Sequence, residues 1–188
     1  VIVPKLDHSF FASVVRGIEE VVKEAGYNVI ICQSSDQQEL EVQRVDALLR
    51  SQVEGIIVSI SRETKRFEHF EKIKEKGIPL ILFDRVLDEM NVSTVEVDDY
   101  QGGYLATRHL IEQGYRKIAH LAGSLNLKIY QNRLEGYRAA LKEAGLSPNP
   151  AWIIESDLQM ESGRELMEQL LGQPDRPDAV FSASDYAA

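Results

Sequence analysis

Short β-branched runs alternate with stretches of helical period along the whole chain. VIV at the start is followed by DHSFFASVVRGIEEVVKEAG, where Phe11, Val14, Val15, Ile18, Val21 and Val22 share one stripe of 3.6-residue period. That stripe predicts a helix over 9–25, ended by Gly26 in the left-handed position that closes many helices. NVIIC predicts the next strand, and 37–51 the next helix, with Leu40, Val45, Leu48 and Leu49 inward. GIIVSI predicts a third strand, a stretch with Phe67, Phe70 and Ile73 closed by Gly77 a third helix, and LILF a fourth strand. Between LILF and the β-rich run STVEV lies only DRVLDEMNV, too short for the helical crossover that parallel strands require, so the rhythm breaks there. It resumes with a helix over 101–113 before Gly114, the strand KIAHLAG, a helix over 132–144 before Gly145, the strand WIIES, a helix over 162–171 and the strand AVFSA. SDYAA follows, where another helix is due to start.

Strands alternating with helices predict an α/β fold with parallel sheets flanked by helices. The break across 84–99 divides it into two Rossmann-like lobes, 1–98 and 99–188, the second expected to be incomplete at its C-terminal end. The adjacent Phe10 and Phe11 then pose a question. A helix with one core-facing stripe uses Phe11; Phe10, offset by about 100° at 3.6 residues per turn, points elsewhere.

Composition narrows the function classes. The 188 residues carry a formal net charge of -9 with a pI near 5.0. So acidic a surface repels a phosphate backbone, so these residues are not expected to grip nucleic acid themselves. A single cysteine forbids an internal disulfide, and Cys32, inside NVIIC, reads as a buried strand thiol. No apolar run approaches the roughly 20 residues of a membrane span, and these 188 residues contain no basic segment, apolar core and small-residue cleavage site of the secretory type. Val1 opens directly on a strand, so the natural N-terminus is expected upstream.

In open parallel α/β sheets, ligands bind outside the carboxyl ends of the strands. The residues there are Asp7, His8, Phe10 and Phe11; Asp84 and Arg85; Asp98 and Asp99; Tyr130, Asn132 and Arg133; Asp157; and Ser184 and Asp185. Phosphate-loop, dinucleotide, zinc-protease and nucleophile-elbow motifs are all absent, so neither an enzyme nor a cofactor is expected. A magnesium site would need the aspartates on one sheet edge, whereas they divide between the lobes. The set suits a polyhydroxylated ligand instead: carboxylates accept from hydroxyls, an arginine fork donates, and an aromatic ring covers the apolar face of a sugar. Each residue also has a structural reading. Asp185 is equally a helix cap, Arg133 a solvated helix residue, Asp84 and Arg85 a charged turn, and Phe10 and Phe11 a core pair.

Taken together, DHSFFASVVRGIEEVVKEAGYNVIIC, VEGIIVSIS, IPLILFDR, VDDYQGGYLATRHLIEQGYRKIAHLAG, NRLEGYRAALKEAG, ESGRELMEQLL and RPDAVFSASD resemble the effector-binding core of the lactose-repressor (LacI/GalR) family of bacterial transcriptional regulators. The resemblance runs over essentially the whole chain. It implies the fold of periplasmic sugar-binding proteins, two lobes with the ligand between them, and a cytoplasmic homodimer. It also implies an upstream helix-turn-helix headpiece, absent from this chain, that binds operator DNA. By residue-wise matching, Arg133 and Asp185 fall on the family's usual ligand-binding arginine and aspartate. Asp84 and Arg85 match a pair that contacts sugar in some relatives, and the aromatic pair Phe10 and Phe11 points partly into the cleft. The implied partner is a small-molecule effector, a carbohydrate or its phosphate. Leu158 replaces a cleft aromatic of some relatives, and Leu127 and Ile129 replace polar groups of purine-sensing ones, which argues against a purine. The other reading of the same fold is a periplasmic sugar-binding protein of a transport system.

Overall fold

The computed structural model describes residues 1–7 and 9–188; the strand-end residue His8 lies outside the described residues. Contacts divide the chain into two compact units, Val1–Glu96 and Val97–Ala188. The first unit contains β1 (Ile2–Val3), α1 (Ser9–Glu24), β2 (Cys32–Gln33), α2 (Gln38–Arg50), β3 (Ile56–Val58), α3 (Glu68–Glu75), β4 (Leu80–Phe83) and β5 (Ser93–Val95). Its sheet runs β2-β1-β3-β4-β5 with every pairing parallel.

The periodicity of α1 works as read at its start: Phe11 and Val15 are buried and pack with Val3 and Phe83. Val21 differs from the expectation. It stands on the margin of the stripe, one repeat after half-buried Val14, and is 70% exposed. NVIIC yields only the two-residue β2, because β2 is the outer strand of its sheet and pairs on one side alone. For the same reason Cys32 is half-buried rather than buried.

The larger correction concerns the break in rhythm. β5 lies beside β4 and parallel to it, with Ile81, Leu82 and Phe83 opposite Ser93, Thr94 and Val95. Residues 84–92 make the return without an α-helix, through a 3-10 turn at Asp88–Met90. Buried Val86 and Met90 anchor that connection to the core, which supplies the cover a crossover helix normally gives.

The second unit contains α4 (Asp99–Glu112), β6 (Ile118–Ala122), α5 (Lys128–Glu143), β7 (Ile153–Glu155), α6 (Met160–Leu171) and β8 (Ala179–Ser182), with a parallel sheet ordered β7-β6-β8. Central β6 is buried at every position and alternates between two cores, as a strand covered on both faces must. Ala119 and Leu121 pack with Trp152, Leu158 and Leu170, while Ile118 packs with Leu134, Tyr137 and Leu141. α4 and α5 end in the expected glycine turns. Gly114 and Gly145 have φ of 98° and 70°, and Tyr115 and Leu146 reach back to the carbonyls of Leu110 and Leu141. α5 starts at Lys128, earlier than the periodicity predicts, because buried Leu127 and Ile129 hold its first turn against the core. The SDYAA segment forms a 3-10 turn, Asp185–Ala187.

Candidate functional site

In the first unit the carboxyl ends of the strands carry Phe10, Asp84 and Arg85, joined by a polar cluster that the sequence reading passed over. Phe10 is 50% exposed and Phe11 4%. Their rings meet edge-on at 5.2 Å, and Phe11 continues edge-on to Phe83 at 6.2 Å. One ring therefore packs and its neighbour stands free of the core, as the 100° offset requires.

Asp84 ends β4 in the left-handed region, φ 58°, with its backbone N–H donating to the Val95 carbonyl at 3.0 Å. That conformation is uncommon for a residue with a Cβ, and aspartate is among those that tolerate it best. The turn sends the next side chain, Arg85, into an ion pair with Asp36, both side chains about nine-tenths buried at 11% and 10% exposure. Arg85 also donates to the Ile60 carbonyl at 3.5 Å, and its Nε is buried without a protein partner. Burial alone would raise the Asp36 pKa, but the Arg85 charge and the Arg62 backbone N–H outweigh it and hold the carboxyl below its usual range.

Asp36 belongs to a set of side chains that pins the loop after β3. The backbone N–H groups of Ser61, Arg62 and Lys65 donate to Glu41 (2.6 Å), Asp36 (3.0 Å) and Gln38 (2.9 Å). Glu41, fully buried, also accepts from Thr64 Oγ1 at 2.8 Å and pairs with His69 Nε2 at 2.9 Å. Ser61 donates to Ser34 at 2.7 Å. A signal for this existed in the sequence. Gln38, Glu41, Val45 and Leu48 are the buried positions of α2 and lie on one stripe, so two polar residues occupy core-facing places.

In the second unit Arg133, on α5, is engaged on two sides. Its Nε and Nη2 donate to Asp99 Oδ1 at 2.8 and 2.7 Å, and its Nη1 donates to the Ala183 carbonyl at 2.5 Å. The guanidinium lies 5.8 Å from the Tyr130 ring centre. Arg133 is thus no solvated helix residue. Of the two adjacent aspartates, Asp98 caps α4 by accepting from Gln101 N at 2.8 Å, and Asp99, 6% exposed, is the ion-pair partner. Asp185 is exposed at the first position of the last turn. The cap there is Ser184, whose Oγ accepts from Tyr186 N at 3.2 Å, so the carboxylate of Asp185 does not serve as the cap. Leu158, at the end of β7, has φ 56° and is buried among Trp152 and Leu170. Leu127 and Ile129 are likewise buried.

Beneath these residues lies His120 of β6, fully buried and stacked on Phe181 (4.6 Å, 12°) and Tyr137 (5.2 Å, 23°). Its Nδ1 is 3.0 Å from the Phe181 carbonyl, which can only accept, so Nδ1 carries the proton. Burial lowers its pKa to about 4, against the raising effect of that bond. Among the described residues no group of His, Cys, Asp and Glu could hold a metal ion, and no helix is long and apolar enough to cross a membrane.

Two parallel α/β units with paired arginines at their strand ends define a binding fold of the periplasmic-binding-protein type. Residues 1–188 match the family described as periplasmic binding proteins and sugar binding domain of LacI family, and the chain belongs to that family. It is 35% identical over 187 residues to the ribose operon repressor of Haemophilus influenzae, covering 100% of this chain and 55% of that protein. Catabolite control protein A of Priestia megaterium is 32% identical over 189 residues, covering 100% of this chain and 56% of its own length. The chain therefore spans about half the length of the curated relatives it matches. Among solved structures, the transcriptional regulator CelR bound to cellobiose superposes with a TM-score of 0.87 at 30% identity, over 99% of this chain and 58% of that one. The Cra regulator of Pseudomonas putida, in complex with fructose 1-phosphate, gives 0.88 at 25% identity, over 99% and 68%.

Proposed function

We propose that this chain is the small-molecule-sensing core of a cytoplasmic, DNA-binding transcriptional regulator that acts as a homodimer. In this reading a helix-turn-helix headpiece elsewhere in the protein reads the operator, and these residues sense a carbohydrate effector without catalysis. The observation that carries it is the match over the whole chain to relatives whose names are those of repressors, including an HTH-type transcriptional repressor PurR of Haemophilus influenzae at 33% identity. The solved relatives with cellobiose and with fructose 1-phosphate support a carbohydrate effector. Contacts to it are assigned to Phe10, Asp84 and Arg85 in the first unit and to Arg133 and Asp185 in the second; Phe11 serves by packing behind Phe10.

The test uses the full-length protein and DNA from upstream of its own operon. Fluorescence anisotropy is expected to show sequence-specific binding by a dimer, altered by one member of a panel of carbohydrates. Asp185→Ala is expected to weaken that carbohydrate at least about tenfold, or 1.4 kcal/mol, while leaving DNA binding in its absence intact. A full-length protein that binds no operon DNA and responds to no carbohydrate would remove this reading.

A further inference from the structure

Both arginines assigned to the effector are neutralised inside their own unit by a buried carboxylate. Arg85 pairs with Asp36, and Arg133 takes Asp99 on two of its nitrogens. Arg62 acts on the same carboxylate, through its charge and through its backbone N–H, which donates to Asp36 at 3.0 Å. Each guanidinium is left with donors rather than with spare charge. The clearest is Arg85 Nε, buried and without a protein partner.

From this balance we infer that the effector is an uncharged polyol or sugar rather than a sugar phosphate or other anion. The inference rests on the sensing role proposed above and names its ligand class. A hydroxyl can accept from a paired guanidinium and donate to the neighbouring carboxylate, so it satisfies both partners without disturbing the pair. A phosphate dianion at either arginine would stand within reach of Asp36 or Asp99. It would meet like charge in a poorly hydrated place, and like-charge juxtaposition is heavily penalised. The exposed carboxylate of Asp185 and the overall charge of -9 act in the same direction. Sensing an anion at such a site would call for an arginine or lysine without a carboxylate partner at the strand ends; here the two arginines assigned to the effector are both paired.

The experiment is titration calorimetry on the full-length protein with D-ribose, D-fructose, D-glucose, D-galactose and cellobiose, each beside its monophosphate ester, and with inorganic phosphate. The expected result is one neutral sugar bound at least about tenfold more tightly than its own phosphate, with inorganic phosphate unable to compete. Asp36→Asn and, independently in the other unit, Asp99→Asn each free an arginine, so either folded variant should narrow that ratio by weakening the sugar and strengthening the ester. A phosphate ester that binds more tightly than its parent sugar overturns the neutral-ligand inference and leaves the sensing role standing. So does a ratio unchanged in both variants. Silence across every sugar and every ester overturns the sensing role itself.

Discussion

His120 shows at the scale of one residue how burial turns into a measurable dependence on pH. In the folded chain its pKa is about 4, whereas a histidine in an unfolded chain titrates near 6.5. Between those values the unfolded state binds a proton that the folded state refuses, so stability falls as pH drops from about 6.5 to about 4 and is unaffected above. A shift of that size corresponds to about 3 kcal/mol at its full extent. Urea unfolding of the full-length protein at a series of pH values should show this loss, and His120→Phe, which keeps the stack on Phe181 and Tyr137, should flatten it. A variant with the same pH slope as the parent would show that another group controls it. Nothing in KIAHLAG marks this histidine from sequence alone, since the alternation places it inward and leaves open what it meets. Gln38 and Glu41 are different: they lie on the core stripe of α2, where two polar residues mark a buried polar cluster. Asp36, the partner of Arg85, precedes that helix and carries no periodic signal.

Among the elements, hydrophobic period located helices well wherever one stripe dominates. α1 and α2 fall within a residue or so of the pattern, and the strands of the second unit occupy the runs assigned to them. What the pattern could not carry was connectivity. A parallel neighbour for β4 needs only a path back to its start, and a 3-10 turn held by Val86 and Met90 suffices, so the absence of helical period across 84–92 said nothing about pairing. The pairing of α4 with α5 was equally hidden, because it depends on missing side chains. A Cβ on Gly136 would fall within contact distance of the Tyr100 carbonyl oxygen and 2.6 Å from the Tyr104 backbone nitrogen. One on Gly103 would lie 2.9 Å from the carbonyl carbon of Arg133. The helices thus touch backbone to backbone, and the contact sets where Arg133 meets Asp99. Gly136→Ala should cost about 1–3 kcal/mol or more by overpacking, although alanine is the better helix former. Thermal unfolding of the full-length variant measures this. A stability equal to the parent's would mean that the helices part freely.

For the whole molecule, the proposed function raises the question whether sensing and DNA binding are coupled. The chain spans about half of its curated relatives, and in the proposed regulator the operator site would lie outside these residues. An effector shifts an equilibrium between two states only by its difference in affinity for them, however tightly it binds. Such couplings are typically about 1–3 kcal/mol, or 5- to 150-fold. Linkage then makes a reciprocal demand: the factor by which effector changes operator affinity must equal the factor by which operator changes effector affinity. Anisotropy with and without saturating effector gives the first factor, and calorimetry with and without saturating operator gives the second. Agreement within error, at a factor clearly different from one, is the expected outcome. Asp185→Ala should leave that ratio in place at saturation while raising the effector concentration needed to reach it, since a contact residue changes occupancy more than it changes the difference between states. An effector that binds tightly and leaves operator affinity untouched would separate the two functions, and passive binding of a sugar would then be the better account of this fold.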